Sequence, residues 1–208
     1  TAGPTFEAID PVRGITNLSS GRMGYALARA AQQAGAEVVL VSGPVSLPVP
    51  LGVKRISVRS ALEMYDQVMA HAANVDVFIG VAAVADYRVR NLAEHKLKKD
   101  HGGLQVLELT ENPDILASVA AIPDAPFCVG FAAESQNLEA YAEAKRQKKK
   151  IPLIVGNLIQ DGFGGDQNRL ILFDDQGSHP LQPASKSVLA GQLINHVASL
   201  IGRKNASH

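Results

Sequence analysis

Val75-Asp76-Val77-Phe78-Ile79-Gly80-Val81 runs directly into Ala82-Ala83-Val84-Ala85-Asp86-Tyr87-Arg88. The first half is an apolar, β-branched run without the polar alternation of a half-exposed strand. It reads as a strand covered on both faces. The second half turns at once to small residues, then an acid, an aromatic and a base. Working outward, Glu37-Val38-Val39-Leu40-Val41 is a similar run bounded by Gly35 and Gly43, and Val53 to Val58 alternates more weakly. Phe127 to Phe131 and Leu153-Ile154-Val155 repeat the theme. Helix-period segments separate these runs at 22–34, 60–73, 112–121, 137–149 and 185–201. Such alternation predicts parallel strands joined by crossover helices. The expected fold class is α/β, a Rossmann-like doubly wound, mainly parallel sheet, with ligands beyond the carboxyl ends of its strands.

Other segments fit less simply. Leu104 to Leu109 alternates cleanly and reads as a half-exposed strand or an arm. Gly102-Gly103 and the stretch 161–166 mark turns or mobile loops. Thr1-Ala2-Gly3-Pro4-Thr5 reads as the end of a strand entering a turn, without the residues that should precede it. The expectation is a chain cut from a longer protein or lacking its ordered beginning.

Composition narrows the class. The chain has 208 residues, enough for one domain with a substantial core. Twenty basic and twenty acidic residues balance, which argues against a nucleic-acid coat. The single cysteine, Cys128, excludes a disulfide framework and lies within an apolar run, as core residues do. No apolar run reaches the roughly 18 residues of a membrane span, and no signal peptide is visible. A cytoplasmic protein without membrane or nucleic-acid partners is expected. No metal site is predicted: His71, His95 and His101 are scattered and His208 is terminal.

Several clusters carry possible chemistry. Asn17-Leu18-Ser19-Ser20-Gly21-Arg22-Met23-Gly24 opens a helix, with Ser19 or Ser20 as cap. Gly21 and Gly24 suit either an anion at the helix start or close packing. A Walker A loop is excluded because the chain has no Gly-Lys dipeptide. Asp86 suits a base or hydroxyl, or a turn cap. Lys96-Leu97-Lys98-Lys99 fits a basic flap over phosphates, or a solvated loop. In Glu111-Asn112-Pro113-Asp114-Ile115, Asn112 suits a helix cap and Pro113 the first turn. Phe131-Ala132-Ala133-Glu134 ends a strand. Lys145 and Lys149, four apart on one helix face, can deliver two charges to a triphosphate or simply face solvent.

In this order, these residues resemble phosphopantothenate–cysteine ligase of the bacterial CTP-using type. The motifs are Thr1 to Thr5 with Ile9-Asp10-Pro11-Val12-Arg13, Asn17 to Gly24, Ala82 to Arg88, Lys96 to Lys99, Asn112 to Ile115, and Gly130 to Glu134. The likeness covers essentially the whole chain, 1–208. It departs at Phe6, where the family often has Arg, and at Gly14, where a bulkier residue is common.

The resemblance implies a ligase joining 4'-phosphopantothenate and L-cysteine with CTP through an acyl-cytidylate, with Mg²⁺ on the phosphates. It implies a homodimer formed through a strand-rich arm, placed near 85–110 with parts of 156–180. In many bacteria the domain is fused to a flavin-dependent decarboxylase. Asn17 is implied to hold the acyl-cytidylate carbonyl and Lys96 to close over the intermediate. Arg13 is implied to serve a neighbouring subunit's site. Ser20 and Gly21 would cradle phosphate, while Ala82, Ala83 and Asp86 would line the cytidine site. Pro113, Asp114, Ile115, Leu116 and Phe131 would complete the nucleotide pocket, and Lys145 and Lys149 would bind its phosphates. The α/β alternation alone also admits an NAD(P)-dependent oxidoreductase, although the glycine fingerprint is broken and a ribose-binding acid is missing. A catalytically silent nucleotide-binding module is the third reading.

Overall fold

The apolar runs become the sheet. The computed structural model describes residues 1–98, 106–158 and 167–206. Its strands are β1 (Phe6–Ala8), β2 (Gly14–Thr16), β3 (Val38–Ser42), β4 (Val53–Ser57), β5 (Val77–Gly80), β6 (Tyr87–Val89), β7 (Leu109–Glu111), β8 (Phe127–Glu134), β9 (Leu153–Leu158), β10 (Gln167–Asn168), β11 (Ile171–Asp174), β12 (Gly177–Pro180) and β13 (Ala184–Ser185). Its helices are α1 (Arg22–Gln33), α2 (Ala61–Ala72), α3 (Ile115–Ala120), α4 (Leu138–Lys149) and α5 (Lys186–Ala206). None of them is long and apolar enough to cross a membrane.

β5, β8 and β9 pair in parallel, and the antiparallel β11 and then β12 extend the sheet beyond β9. β3 and β4 form a parallel pair. Residues 1–4 join the two parts as a short central strand. Ala2 bridges Ser42 and Pro4 bridges Ala83, both in parallel. The Ala2 N–H donates to the Val41 carbonyl at 2.9 Å, and the Ala83 N–H to the Gly3 carbonyl at 2.9 Å. The spatial order is therefore β4, β3, residues 1–4, β5, β8, β9, β11, β12, with helices on both faces. Leu27 of α1 and Leu189, Leu193 and Val197 of α5 cover one face against Val129, Val155 and Leu172. Met64 and Val68 of α2, Val119 of α3 and Ala142 of α4 cover the other, against Phe78 and Ile154. Cys128 is buried in β8, and burial pushes its thiol up to about 11, so it acts as a core side chain.

Some local expectations are corrected. Neither Ser19 nor Ser20 caps α1: the cap position is Gly21, at φ 72°, which has no side chain to accept from the first turn. Instead the Ser19 hydroxyl accepts from the Gly21 N–H. α3 starts at Ile115 rather than 112, because Asp114, not Asn112, accepts from the Ala117 N–H. The alternation over 104–109 is realised further on: β7 pairs antiparallel with β6, and the Arg90 N–H donates to the Glu108 carbonyl. Residues 99–105 and 159–166, including the loop expected at 161–166, lie outside the described residues. Of the segments assigned to an arm, β6 and β7 form a ribbon outside the main sheet. β11 and β12 belong to the main sheet, since Leu170 and Leu172 are fully buried against α5.

The two departures from the family pattern prove to be one. A Cβ on Gly14 would lie 2.3 Å from the Phe6 ring and 2.7 Å from the Glu7 carbonyl oxygen. The ring is held there, with the Arg59 guanidinium 4.4 Å from its centre. Phe6 thus occupies the room that a side chain at 14 would need. Gly14→Ala is expected to destabilise the fold by about 1–3 kcal/mol, as overpacking does. Urea denaturation checks this, and an unchanged midpoint would contradict the coupled packing.

Candidate functional site

The parallel strands bring their carboxyl ends to one edge, and there the polar clusters meet. β5 ends at Gly80, and the chain continues through Ala82 to Asp86 as an irregular loop. The Thr5 hydroxyl, fully buried, accepts from the Ala85 N–H at 3.0 Å. Asn17 comes from the loop before α1 and donates its side-chain amide to the Ala83 carbonyl at 3.0 Å. Asn112 holds the same loop from the other side. Its Nδ2 donates to the Ala85 carbonyl at 2.8 Å, and its backbone N–H donates to the Asp86 carbonyl at 2.8 Å. Arg88 then donates to Asn112 Oδ1 at 3.1 Å. Two amides, 95 residues apart in sequence, clamp one loop. An amide nitrogen carries two protons, so Asn17 can serve Ala83 and still offer one to a ligand.

α4 supplies the cations. Lys145 reaches β8 just past its pairing with β5, where its ammonium donates to the Phe131 carbonyl at 2.9 Å. Lys149 pairs with the Asp114 carboxylate. Burial lowers the Lys145 amine from its ordinary value and Lys149 adds to this, while Glu134, Asp114 and Asp86 pull the other way. Burial acts to raise the Asp114 carboxyl, but the bonds from Lys149 and the Ala117 N–H hold it below the usual range. The region is thus a mixed-charge cup whose members sense one another.

Most predicted residues share this edge. Asn17, Ala82, Ala83, Asp86, Pro113, Asp114, Phe131, Lys145 and Lys149 belong to the cup. Ser20 is exposed before Gly21, at the uncapped start of α1. Gly24 is explained by packing, since a Cβ there would meet Ala2 Cβ at 2.5 Å. Ile115 and Leu116 turn their side chains into the core, Leu116 against β8 at Gly130, which leaves only their backbone to a ligand.

Arg13 and Lys96 form a second group. The Arg13 guanidinium donates to Asp10 and to the Leu97 carbonyl at 2.9 Å. Asp10 is buried and also accepts from the N–H groups of Val12, Arg13 and Leu97. The Arg13 hydrogen bond is the chief reason its carboxyl lies well below the usual range. Lys96 stands in the exposed stretch 94–98, one residue before this anchored leucine. Asp10 was not singled out for a role in the sequence. Its signal was the order Asp10-Pro11-Val12-Arg13, in which an aspartate can bond the backbone two and three residues on.

Two cavities lie near this edge. One, of about 390 Å³, opens at the ends of β3 and β4 and is lined by Phe6, Ser42, Val45, Arg55 and Arg59. Another, of about 600 Å³, lies beyond the ends of β8 and β9, lined by Ser135, Asn137, Leu158 and Arg169. The clamped loop lies in neither lining. Volume is the weaker guide here, because an open cup is completed by its ligands, whereas the convergence of amides and ammonium groups is already in place.

Residues 1–201 match the family described as the DNA/pantothenate metabolism flavoprotein C-terminal domain. The coenzyme A biosynthesis bifunctional protein CoaBC of Vibrio vulnificus (strain CMCP6) is 53% identical over 97% of the chain and 52% of its own length. CoaBC of Escherichia coli (strain K12) is 47% identical over 99% of the chain and 52% of its own length. The chain therefore spans about half the length of these curated relatives. Among solved structures, the C-terminal domain of a CoaBC protein superposes with a TM-score of 0.82 and 38% identity, covering 97% of this chain and 95% of that one. By sequence over nearly its whole length and by the layered sheet described above, the chain belongs to the DNA/pantothenate metabolism flavoprotein C-terminal domain family.

Proposed function

We propose that this domain joins 4'-phosphopantothenate to L-cysteine, using CTP, in coenzyme A biosynthesis. Support comes chiefly from one observation: two side-chain amides clamp the Ala82–Asp86 loop beside a half-buried ammonium, at the carboxyl edge of a doubly wound sheet. The names of the half-matched relatives support the coenzyme A biosynthesis part of that assignment.

The chemistry runs in two balanced steps. A carboxylate oxygen of phosphopantothenate attacks the α-phosphorus of CTP. The new O–P bond forms as the α–β anhydride breaks, and pyrophosphate leaves with the electron pair. The amine of cysteine then attacks the acyl carbon; an amide forms, the acyl C–O bond breaks, CMP departs and the nitrogen loses a proton. Both substrates are anionic, so positioning and charge neutralisation dominate the barrier. Lys145 and Lys149 neutralise the phosphates. The free Asn17 proton binds the acyl oxygen, and an uncharged donor suits a group whose charge changes between the steps. Ser20 and Gly21 present the start of α1 to a phosphate. Asp86 accepts from the cytosine, and Phe131 and Pro113 flank the nucleoside.

Mg²⁺ fits such a cup as an ion carried by the nucleotide. Asp114 is engaged by Lys149 and Asp86 is assigned to the cytosine, which leaves Glu134, close enough to influence Lys145, to hold it. Phosphate oxygens and water would fill the remaining positions of an ion that dehydrates reluctantly. When bound, it would offset charge on the phosphates.

Arg13 and Lys96 are assigned to closure, with Arg13 also reaching a neighbouring subunit of a homodimer. In a longer parent protein, the remaining half is expected to be a flavin-dependent decarboxylase. Pyrophosphate release that requires both CTP and phosphopantothenate tests the reaction. Turnover with NADH and no CTP dependence would overturn it in favour of an oxidoreductase. Lys145→Ala is expected to raise the KM for CTP about tenfold, the worth of one charge-assisted hydrogen bond. An unchanged KM would return Lys145 to a purely structural contact with Phe131.

A further inference from the structure

On the opposite, amino-terminal side of β9, three potential ligands converge. β11 runs antiparallel to β9, with Phe173 opposite Ile154, so Asp174 lies level with Leu153 at the start of β9, away from the cup. Strand alternation places Leu170, Leu172 and Asp174 on the face that α5 covers. Cross-strand register sets His179 opposite Leu172, on that same face. His196 lies on α5 between the buried Leu193 and Val197. Period two, strand register and helical period thus bring one side chain from each element to one point.

The contacts are close and complementary. His179 Nε2 is 2.9 Å from Asp174 Oδ1, and His196 Nε2 is 2.9 Å from Asp174 Oδ2. The Gln176 N–H also donates to Oδ1, at 2.8 Å, and fixes the carboxylate. The imidazole centroids are 5.0 Å apart, tilted by 51°. The three ligand atoms all lie within 4.8 Å of one another. Asp174 is 2% exposed, whereas His179 and His196 are 34% and 21% exposed, so one side of the cluster is open to water. Zinc takes imidazole nitrogen and carboxylate oxygen at about 2.0–2.2 Å, which places neighbouring tetrahedral ligand atoms about 3.3 Å apart. Admitting the ion would open the two 2.9 Å contacts by a few tenths of an ångström and draw in the ligand atoms that now stand farther apart, within 4.8 Å, with water as the remaining ligand.

We propose that Asp174, His179 and His196 form a binding site for a divalent transition metal of the zinc type. The ion would staple the β11–β12 hairpin to the C-terminal helix. Two imidazoles and one carboxylate favour zinc, cobalt or nickel over magnesium, which prefers all-oxygen shells. The site is separate from the cup and does not depend on the proposed ligase reaction.

The test uses the whole chain, stripped with a chelator, and Co²⁺ or Zn²⁺ as the probe. One equivalent of Co²⁺ is expected to bind with visible d–d bands that Zn²⁺ abolishes. Zinc at about 100 times its Kd is expected to raise Tm by about 5–10 °C. His196→Gln and the more exposed His179→Gln should each weaken binding at least about tenfold and remove the Tm shift. Their metal-free melting curves show whether they fold. No stoichiometric binding by the unaltered chain would overturn the proposal. So would binding that persists unchanged in both variants, which would place the metal on other histidines.

Discussion

Lys96→Gln is expected to lower kcat about 100-fold or more while leaving the Kd for CTP within about threefold, the pattern of a group that acts only after the nucleotide is seated. Lys96 lies outside the cup, in the exposed stretch 94–98, yet Leu97 beside it is anchored through both backbone groups. Its N–H goes to Asp10 and its carbonyl to Arg13. The Ala93 N–H donates to the Ile9 carbonyl at 3.2 Å, so the exposed Lys96 projects from a short segment tied down at both ends. Closure would bring an ammonium to the mixed anhydride and exclude water, which otherwise hydrolyses the intermediate. The variant should therefore also release more CMP per amide formed. Pre-steady-state turnover alongside equilibrium CTP binding checks this. An unchanged kcat would remove Lys96 from the reaction.

Asn17→Asp is expected to reduce amide product about 100-fold, more than Asn17→Ala does. The substitution replaces a donor by an acceptor at 3.0 Å from the Ala83 carbonyl, so an anchor becomes a repulsion. It also sets a second carboxylate against a substrate that attacks as a carboxylate. Loss of a hydrogen bond to a charged group amounts to about 1.5–3 kcal/mol, roughly 10- to 100-fold in rate, and the added charge carries the effect to the upper end. Measuring product and CMP separately distinguishes a failure to form the anhydride from a failure to use it. Normal product yield would refute the assigned contact.

The strands of the sheet were legible where hydrophobic patterning had no competitor. The runs over 38–41, 77–80 and 153–155 are apolar on both faces, as strands of a sheet covered on both sides are. The cup was legible because its members follow strand ends, and a Rossmann-like topology gathers strand ends at one edge. What remained hidden depends on distance rather than pattern. Thr1 to Thr5 read as the end of a strand, but nothing local shows that it lies at the centre, between β3 and the end of β5. Asn112 looks like a helix cap locally; in the fold its amide is claimed by the Ala85 carbonyl, 27 residues away, and the cap falls to Asp114. The roles of Asp10 with Leu97, and of Asp174 with His196, rest on contacts between elements remote in sequence, which no spacing rule encodes. Phe6 and Gly14 looked like two unrelated departures until the ring was seen filling the space a side chain at 14 would take.

The central claim is that this cup makes a carboxylic–phosphoric mixed anhydride. It is tested most directly by following the substrate's own oxygen. Phosphopantothenate labelled with ¹⁸O in its carboxylate should transfer one labelled oxygen to CMP during turnover with CTP and cysteine, seen by mass spectrometry. CMP that carries no label, with both labelled oxygens kept in the unreacted acid or lost to water, would contradict the account.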